Sequence, residues 1–184
     1  GLAPKVVVMT TTIRALKYHG GADLKTLTIP NVEALINGLP NLEKHLENAK
    51  LYNITPVIAI NRFYSDSDEE IQVIFDLAQK LNIKVALSDG WAKGGAGALD
   101  LAAKVIEAIE ENSSDFKPLY KWEQDVVTKI ETIAKKIYGA NRVEFSPKAK
   151  KNLKTILDLG LEELPVCIAK TQKSLSDNPA LLGR

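Results

Sequence analysis

Two stretches of the chain carry more chemistry than a connecting loop needs: Asn61-Arg-Phe-Tyr64 and Ser88-Asp-Gly-Trp-Ala-Lys-Gly-Gly-Ala-Gly97. Each follows a short apolar run, where a strand would end. Glycines in the second stretch let backbone amides approach an anion or a flat ring. Trp91 among them is either a core residue or a stacking platform. Phe63, at the end of the other run, favours the platform, because two aromatics on neighbouring strand ends can sandwich a planar heterocycle. Such stacking contributes roughly 0.5–1.5 kcal/mol per aromatic pair beyond area burial. Asn61 offers two amide donors and an acceptor, which suits a purine edge; equally, it could serve only to tie its own loop together. A third polar stretch, Thr10–Gly21, follows the first apolar run of the chain.

Other chemistries find little support. No Gly-x4-Gly-Lys-Ser/Thr phosphate loop occurs, and Gly95-Ala-Gly97 lacks the third glycine of a dinucleotide fingerprint. His19 and His45 have no second imidazole or thiol at ligand spacing, so no metal site is expected and both read as solvated or capping residues. No Ser/His/Asp set can be argued, so an independent hydrolase or reductase has little support. Cys167, the single cysteine, excludes an internal disulfide and reads as a buried strand residue within Pro165–Ala169. The 24 Lys+Arg and 23 Asp+Glu leave a net charge of +1, too small to steer nucleic acid or an anionic membrane. Lys148, Lys150, Lys151 and Lys154 read as a solvated helix face. No apolar run approaches the ~18 residues of a membrane span. The expectation is a soluble, cytoplasmic protein without nucleic-acid or membrane partners. Gly1-Leu-Ala-Pro4 opens the chain without an initiating methionine, and Ala180–Arg184 closes it without a polar tail. Both ends read as cut from something longer.

The elements that must position these residues alternate. Lys5–Thr10, Pro56–Ile60 and Lys84–Leu87 are nearly continuous apolar runs, as in parallel strands covered on both faces. Between the first two, Val32, Leu35, Ile36, Leu39, Leu42, Leu46 and Ala49 recur at helical spacing, with Pro40 expected to break or kink the stretch. Ile71, Ile74, Phe75, Ala78 and Leu81 form a second stripe, with Asp66 and Glu69 in capping-box spacing before it. Ala102, Val105, Ile106 and Ile109 mark a third. Strand–helix–strand alternation implies an α/β fold with a parallel, Rossmann-like sheet and flanking helices. Asn112-Ser-Ser-Asp115 breaks the composition, suggesting an α/β region over 1–111 and a smaller α/β subdomain over 112–184. In the latter, one helix stops near Gly139, Ser146-Pro147 starts another that ends at Gly160, and Pro165–Ala169 returns as a strand.

Long segments carry a family resemblance. Thr12-Ile-Arg-Ala-Leu-Lys-Tyr-His-Gly-Gly21, Pro40-Asn-Leu-Glu-Lys-His-Leu-Glu-Asn48, Val57-Ile-Ala-Ile-Asn-Arg-Phe63, Trp91-Ala-Lys-Gly-Gly95, Leu164–Gln172 and Ser174–Arg184 follow one another as in formate–tetrahydrofolate ligases. The resemblance runs over essentially the whole chain. It implies a fold related to P-loop ligases and an ATP-coupled synthesis of N10-formyltetrahydrofolate from formate and tetrahydrofolate through formyl phosphate. Magnesium and a monovalent cation would assist the full enzyme, itself a homo-oligomer, and nothing would be bound to this piece alone. The phosphate loop would lie in an N-terminal region outside this chain. Phe63 and Trp91 fall on the pterin-stacking aromatics, with Leu87 lining the same pocket. By a looser likeness to the base-reading loops of P-loop proteins, Asn61, Ser88, Lys93, Gly94 and Gly95 would lie along the nucleotide. Ala96, Lys173 and the polar Thr10-Thr-Thr12 depart from the family's usual residues. The competing reading is a non-catalytic binding or assembly module that keeps the fold.

Overall fold

The computed structural model describes residues 3–111, 115–169 and 175–184. Two compact units are distinguished: Gly1–Lys117 together with Lys173–Arg184, and Pro118–Gln172.

The first unit is α/β. Strands β1 (Val6–Thr11), β2 (Thr55–Asn61) and β3 (Lys84–Ser88) form a parallel sheet in that order. Thr11 pairs with Ile60, and Ile60 with Leu87, so the three carboxyl ends line up. β2 is central, and Pro56–Ile60 are all buried, as its unbroken apolar run requires. Helices α1 (Ile13–His19) and α2 (Val32–Leu51) connect β1 to β2, and α3 (Asp68–Leu81) connects β2 to β3. Both crossovers step the same way across the sheet, which puts α2 and α3 on one face. Ile13, Leu16, Leu35, Leu42, Leu46, Ile58, Ile60, Ile71 and Ile74 make the core between them and the strands.

Two helix boundaries differ from the sequence reading for identifiable reasons. α2 runs on through Pro40 instead of breaking there. A proline inside a helix costs about 3 kcal/mol, and buried Leu35 on one side with Leu42 and Leu46 on the other offsets it. The capping box of α3 is shifted by one residue: Ser67 and Glu70 form it, not Asp66 and Glu69. Asp66 is instead turned back, its Oδ2 accepting from the Phe63 amide at 2.8 Å. α1 and α2 cross where Gly20 meets Gly38; a Cβ on Gly20 would lie 1.8 Å from the Ala34 carbonyl oxygen. Gly20, at the end of the first polar stretch, is therefore a packing feature.

After β3 the chain makes two short turns, α4 (Gly90–Lys93) and a 3-10 turn (Gly94–Ala98), before α5 (Leu99–Glu111), which packs along the sheet. The expected stripe of α5 is not buried within this unit: Ile106 and Ile109 are exposed, and Ala108 is the buried residue. Residues 175–184 return to α1 and α2. The Gly183 amide donates to His19 Nδ1 at 3.1 Å, and Arg184 makes a two-pronged ion pair with Glu47 at 2.6 Å.

The second unit contains α6 (Val126–Tyr138) and α7 (Pro147–Asp158). Asp125 and Ser146 cap their starts, and Gly139 closes α6 in the left-handed conformation. α7 ends at Asp158 with Gly160 at φ 66°, and its four lysines are exposed, as a solvated face. The strand expected at Pro165–Ala169 does not form. Val166 has its amide and carbonyl bonded by the Tyr120 hydroxyl (2.8 and 3.2 Å), and Cys167 is exposed, not buried. Lys170–Gln172 and Lys173 of the family-like segments, with Ser174, lie outside the described residues.

Candidate functional site

The aligned carboxyl ends of the three strands are where an open α/β sheet binds ligands. Asn61 and Ser88 are register partners there, both half-buried. The Arg62 amide donates to the Ser88 carbonyl at 3.1 Å, carrying the pairing one residue past the strand end. β2 thus delivers Phe63 beside the start of the Ser88–Gly97 segment. Leu87, half-buried in β3, packs onto the core from the same end.

Trp91 sits in the first turn after β3 and is 65% exposed, so the core reading does not hold. Its indole Nε1–H donates to the Arg62 carbonyl at 2.9 Å. That bond ties the tryptophan to the backbone immediately before Phe63. Among the described residues the ring–ring contacts are Tyr18–His19 and Tyr52–Phe116; Phe63 and Trp91 do not stack on each other. The segment carrying Trp91 is closed on itself. Asp89 N–H donates to the Gly97 carbonyl at 2.9 Å, and a Cβ on Gly97 would stand 2.4 Å from the Asp89 carbonyl oxygen. Gly94, at φ 56° and ψ −142°, takes a conformation reserved for glycine. Lys93 is exposed and paired with Asp89 at 2.9 Å; Gly94 and Gly95 are exposed.

Behind Phe63 lies a group that sequence reasoning did not single out. Arg14, in the first turn of α1, holds its guanidinium 4.2 Å from the Phe63 ring centroid and 6.0 Å from that of Tyr64. Its Nη2 donates to Ser65 Oγ at 3.0 Å. Asp66, 6% exposed, has its Oδ1 without a partner. Burial pushes its carboxyl above the usual aspartate range, against the Phe63 amide and the Arg14 charge, which pull it down. Beneath this loop Lys17 and Glu70 form a fully buried pair at 2.8 Å. Glu70 also accepts from the Asn31 and Ser67 amides, at 2.8 and 3.1 Å. One carboxylate, seven residues past Phe63, therefore joins α1, the start of α2 and the start of α3. Arg14 and Lys17 both fall inside Thr12–Gly21, but spacing gives no sign that they reach residues about fifty positions later.

Among the described residues, no group of three or more His, Cys, Asp or Glu side chains is placed to hold a metal ion. Nor is any described helix long and apolar enough to cross a membrane.

The family model for formate–tetrahydrofolate ligase matches residues 1–184, the whole chain. The chain belongs to the formate–tetrahydrofolate ligase family. The formate–tetrahydrofolate ligase of Petrotoga mobilis is 49% identical over 183 residues, covering 100% of this chain and 33% of that protein. The chain thus spans about a third of that relative's length. Within this ligase family segment, the paired loops after β2 and β3 are the assembled feature: a fixed, exposed tryptophan beside a phenylalanine backed by an arginine.

Proposed function

We propose that this chain supplies the pterin-binding wall of an ATP-dependent ligase that forms N10-formyltetrahydrofolate from formate and tetrahydrofolate. In that reaction formate takes the γ-phosphoryl group of ATP as formyl phosphate. The N10 amine then attacks the formyl carbon, phosphate leaves and the amine loses its proton. Phe63 and Trp91 stack on the pterin, and Leu87 lines the pocket between them. Asn61, Ser88, Lys93, Gly94 and Gly95 form the edge nearer the nucleotide, with the phosphate loop supplied from outside this chain. Mg2+ and a monovalent cation assist the reaction, and among the described residues no group of three or more His, Cys, Asp or Glu side chains is placed to hold either.

The observation that carries this reading is the exposed Trp91, held by Arg62 next to a Phe63 with which it does not stack. An exposed indole fixed in one orientation loses little entropy when a flat ring docks on it. The test is steady-state kinetics on the full-length ligase containing this segment. Trp91→Ala should raise the KM for tetrahydrofolate roughly tenfold or more, from the area and stacking lost, and leave the KM for formate within about twofold. An unchanged tetrahydrofolate KM overturns the assignment.

A further inference from the structure

We propose that Arg14 is a positioning residue for the folate ligand, acting through Phe63; this rests on the pterin-wall reading above. Three features place it in that role. Its guanidinium lies 4.2 Å from the Phe63 centroid, inside the ~6 Å range of cation–aromatic attraction. Its Nη2 is bonded at 3.0 Å to Ser65, two residues further along the same loop. It takes part in no ion pair among the described residues, and its Nε is buried without an acceptor.

A guanidinium whose only task was to anchor a loop would be expected to spend its donors on a carboxylate. Asp66 is nearby with a free buried oxygen, yet the two do not pair. The arginine is instead laid over the aromatic ring. Thr12 makes this reach possible: it caps α1 by accepting from the Ala15 amide at 3.0 Å, which fixes the first turn of the helix at the end of β1. With Arg14 on one face of Phe63, a ligand has only the opposite face. The ring becomes a single-sided platform whose tilt is set by the cation behind it. Withdrawing the arginine frees the ring to rotate and opens its second face, so the loss falls on ligand affinity and not on the formyl-transfer step. Lysine is no equivalent, because an ammonium cannot lie flat on the ring while bonding Ser65.

The test is a double-mutant cycle in the full-length ligase, with KM for tetrahydrofolate, formate and ATP and kcat measured for each variant. Phe63→Leu should raise the tetrahydrofolate KM about tenfold. Arg14→Met should raise it about fivefold, the scale of one partly desolvated cation–aromatic contact, with kcat and the formate KM within about twofold of wild type. Arg14→Lys should raise it about threefold. In the Phe63→Leu background, Arg14→Met should add less than about twofold, because its partner is gone. If Phe63→Leu raises the folate KM but Arg14→Met does not, or if the two effects multiply in full, the Arg14 proposal is overturned and the pterin wall stands. If Phe63→Leu itself leaves the folate KM unchanged, the pterin wall falls, and Arg14 with it. Should Arg14→Met give no folded enzyme, Arg14→Lys decides by the same criteria: a tetrahydrofolate KM equal to wild type overturns the proposal.

Discussion

Replacing Glu70 by glutamine should be the most damaging single change to the first unit that leaves side-chain volume intact. Glu70 is 0% exposed and Lys17 is 1% exposed, at 2.8 Å from each other. In Glu70→Gln, the buried ammonium keeps the Ile29 carbonyl at 2.9 Å but loses its counter-charge. Breaking a buried pair on one side costs about 3–5 kcal/mol, because the remaining charge is uncompensated. The glutamine oxygen can still accept from Asn31 or Ser67, so the loss measures charge more than polarity. Removing both charges in Lys17→Met/Glu70→Leu should cost less, about 1–3 kcal/mol, the scale of amides left without an acceptor. The pH dependence has a defined sign. Burial alone would push the Glu70 carboxyl up, but the hydrogen bonds from Lys17, Asn31 and Ser67 outweigh it and hold it below the usual glutamate range. A depressed carboxylate stabilises the fold above its unfolded value of about 4.3. That contribution is lost as pH falls through the lower folded value. Urea unfolding of the chain, followed by circular dichroism, should show the full deficit at neutral pH and a shrinking one in acid. The reasoning is refuted if Glu70→Gln costs less than about 1 kcal/mol at neutral pH, or if the double variant loses as much as the single.

Three further outcomes are expected. Gly97→Ala drives a Cβ to 2.4 Å from the Asp89 carbonyl oxygen, which no side-chain rotation relieves; it should cost about 1–3 kcal/mol and raise the tetrahydrofolate KM of the full ligase more than its formate KM. Asp66→Asn should be neutral to stabilising at neutral pH in urea unfolding. A carboxyl raised by burial favours the fold below its unfolded pKa, and that contribution is lost as pH rises through the folded value. Asn61→Ala should raise the KM for ATP severalfold if the amide reads the adenine edge, and leave it unchanged if Asn61 only ties its loop.

Much of the fold could be read from local pattern. β2 and β3 were visible as apolar runs, α3 as an apolar stripe, and α6 and α7 by their Gly139, Ser146-Pro147 and Gly160 boundaries, because those signals lie within one element. What the sequence hid depends on long-range partners. Asp66 and Glu69 have the spacing of a capping box, but Phe63 claims Asp66 and Glu70 takes the box. Pro165–Ala169 has strand composition, yet Tyr120 satisfies Val166 before any neighbouring strand can. The apolar stripe of α5 marked the helix correctly, but Ile106 and Ile109 on it are exposed among the described residues. At the site, Phe63 and Trp91 were legible as aromatics at strand ends. The exposure of Trp91, its bond to Arg62 and the arginine behind Phe63 were not, because each joins residues from different strand ends.

The most direct measurement is the crystal structure of the full-length ligase with tetrahydrofolate bound. The account predicts the pterin between Phe63 and Trp91, with ring centroids roughly 4.5–7 Å apart, on the face of Phe63 opposite Arg14. A pterin bound away from both rings, or a Trp91 that releases Arg62 and turns from the ligand, would contradict it.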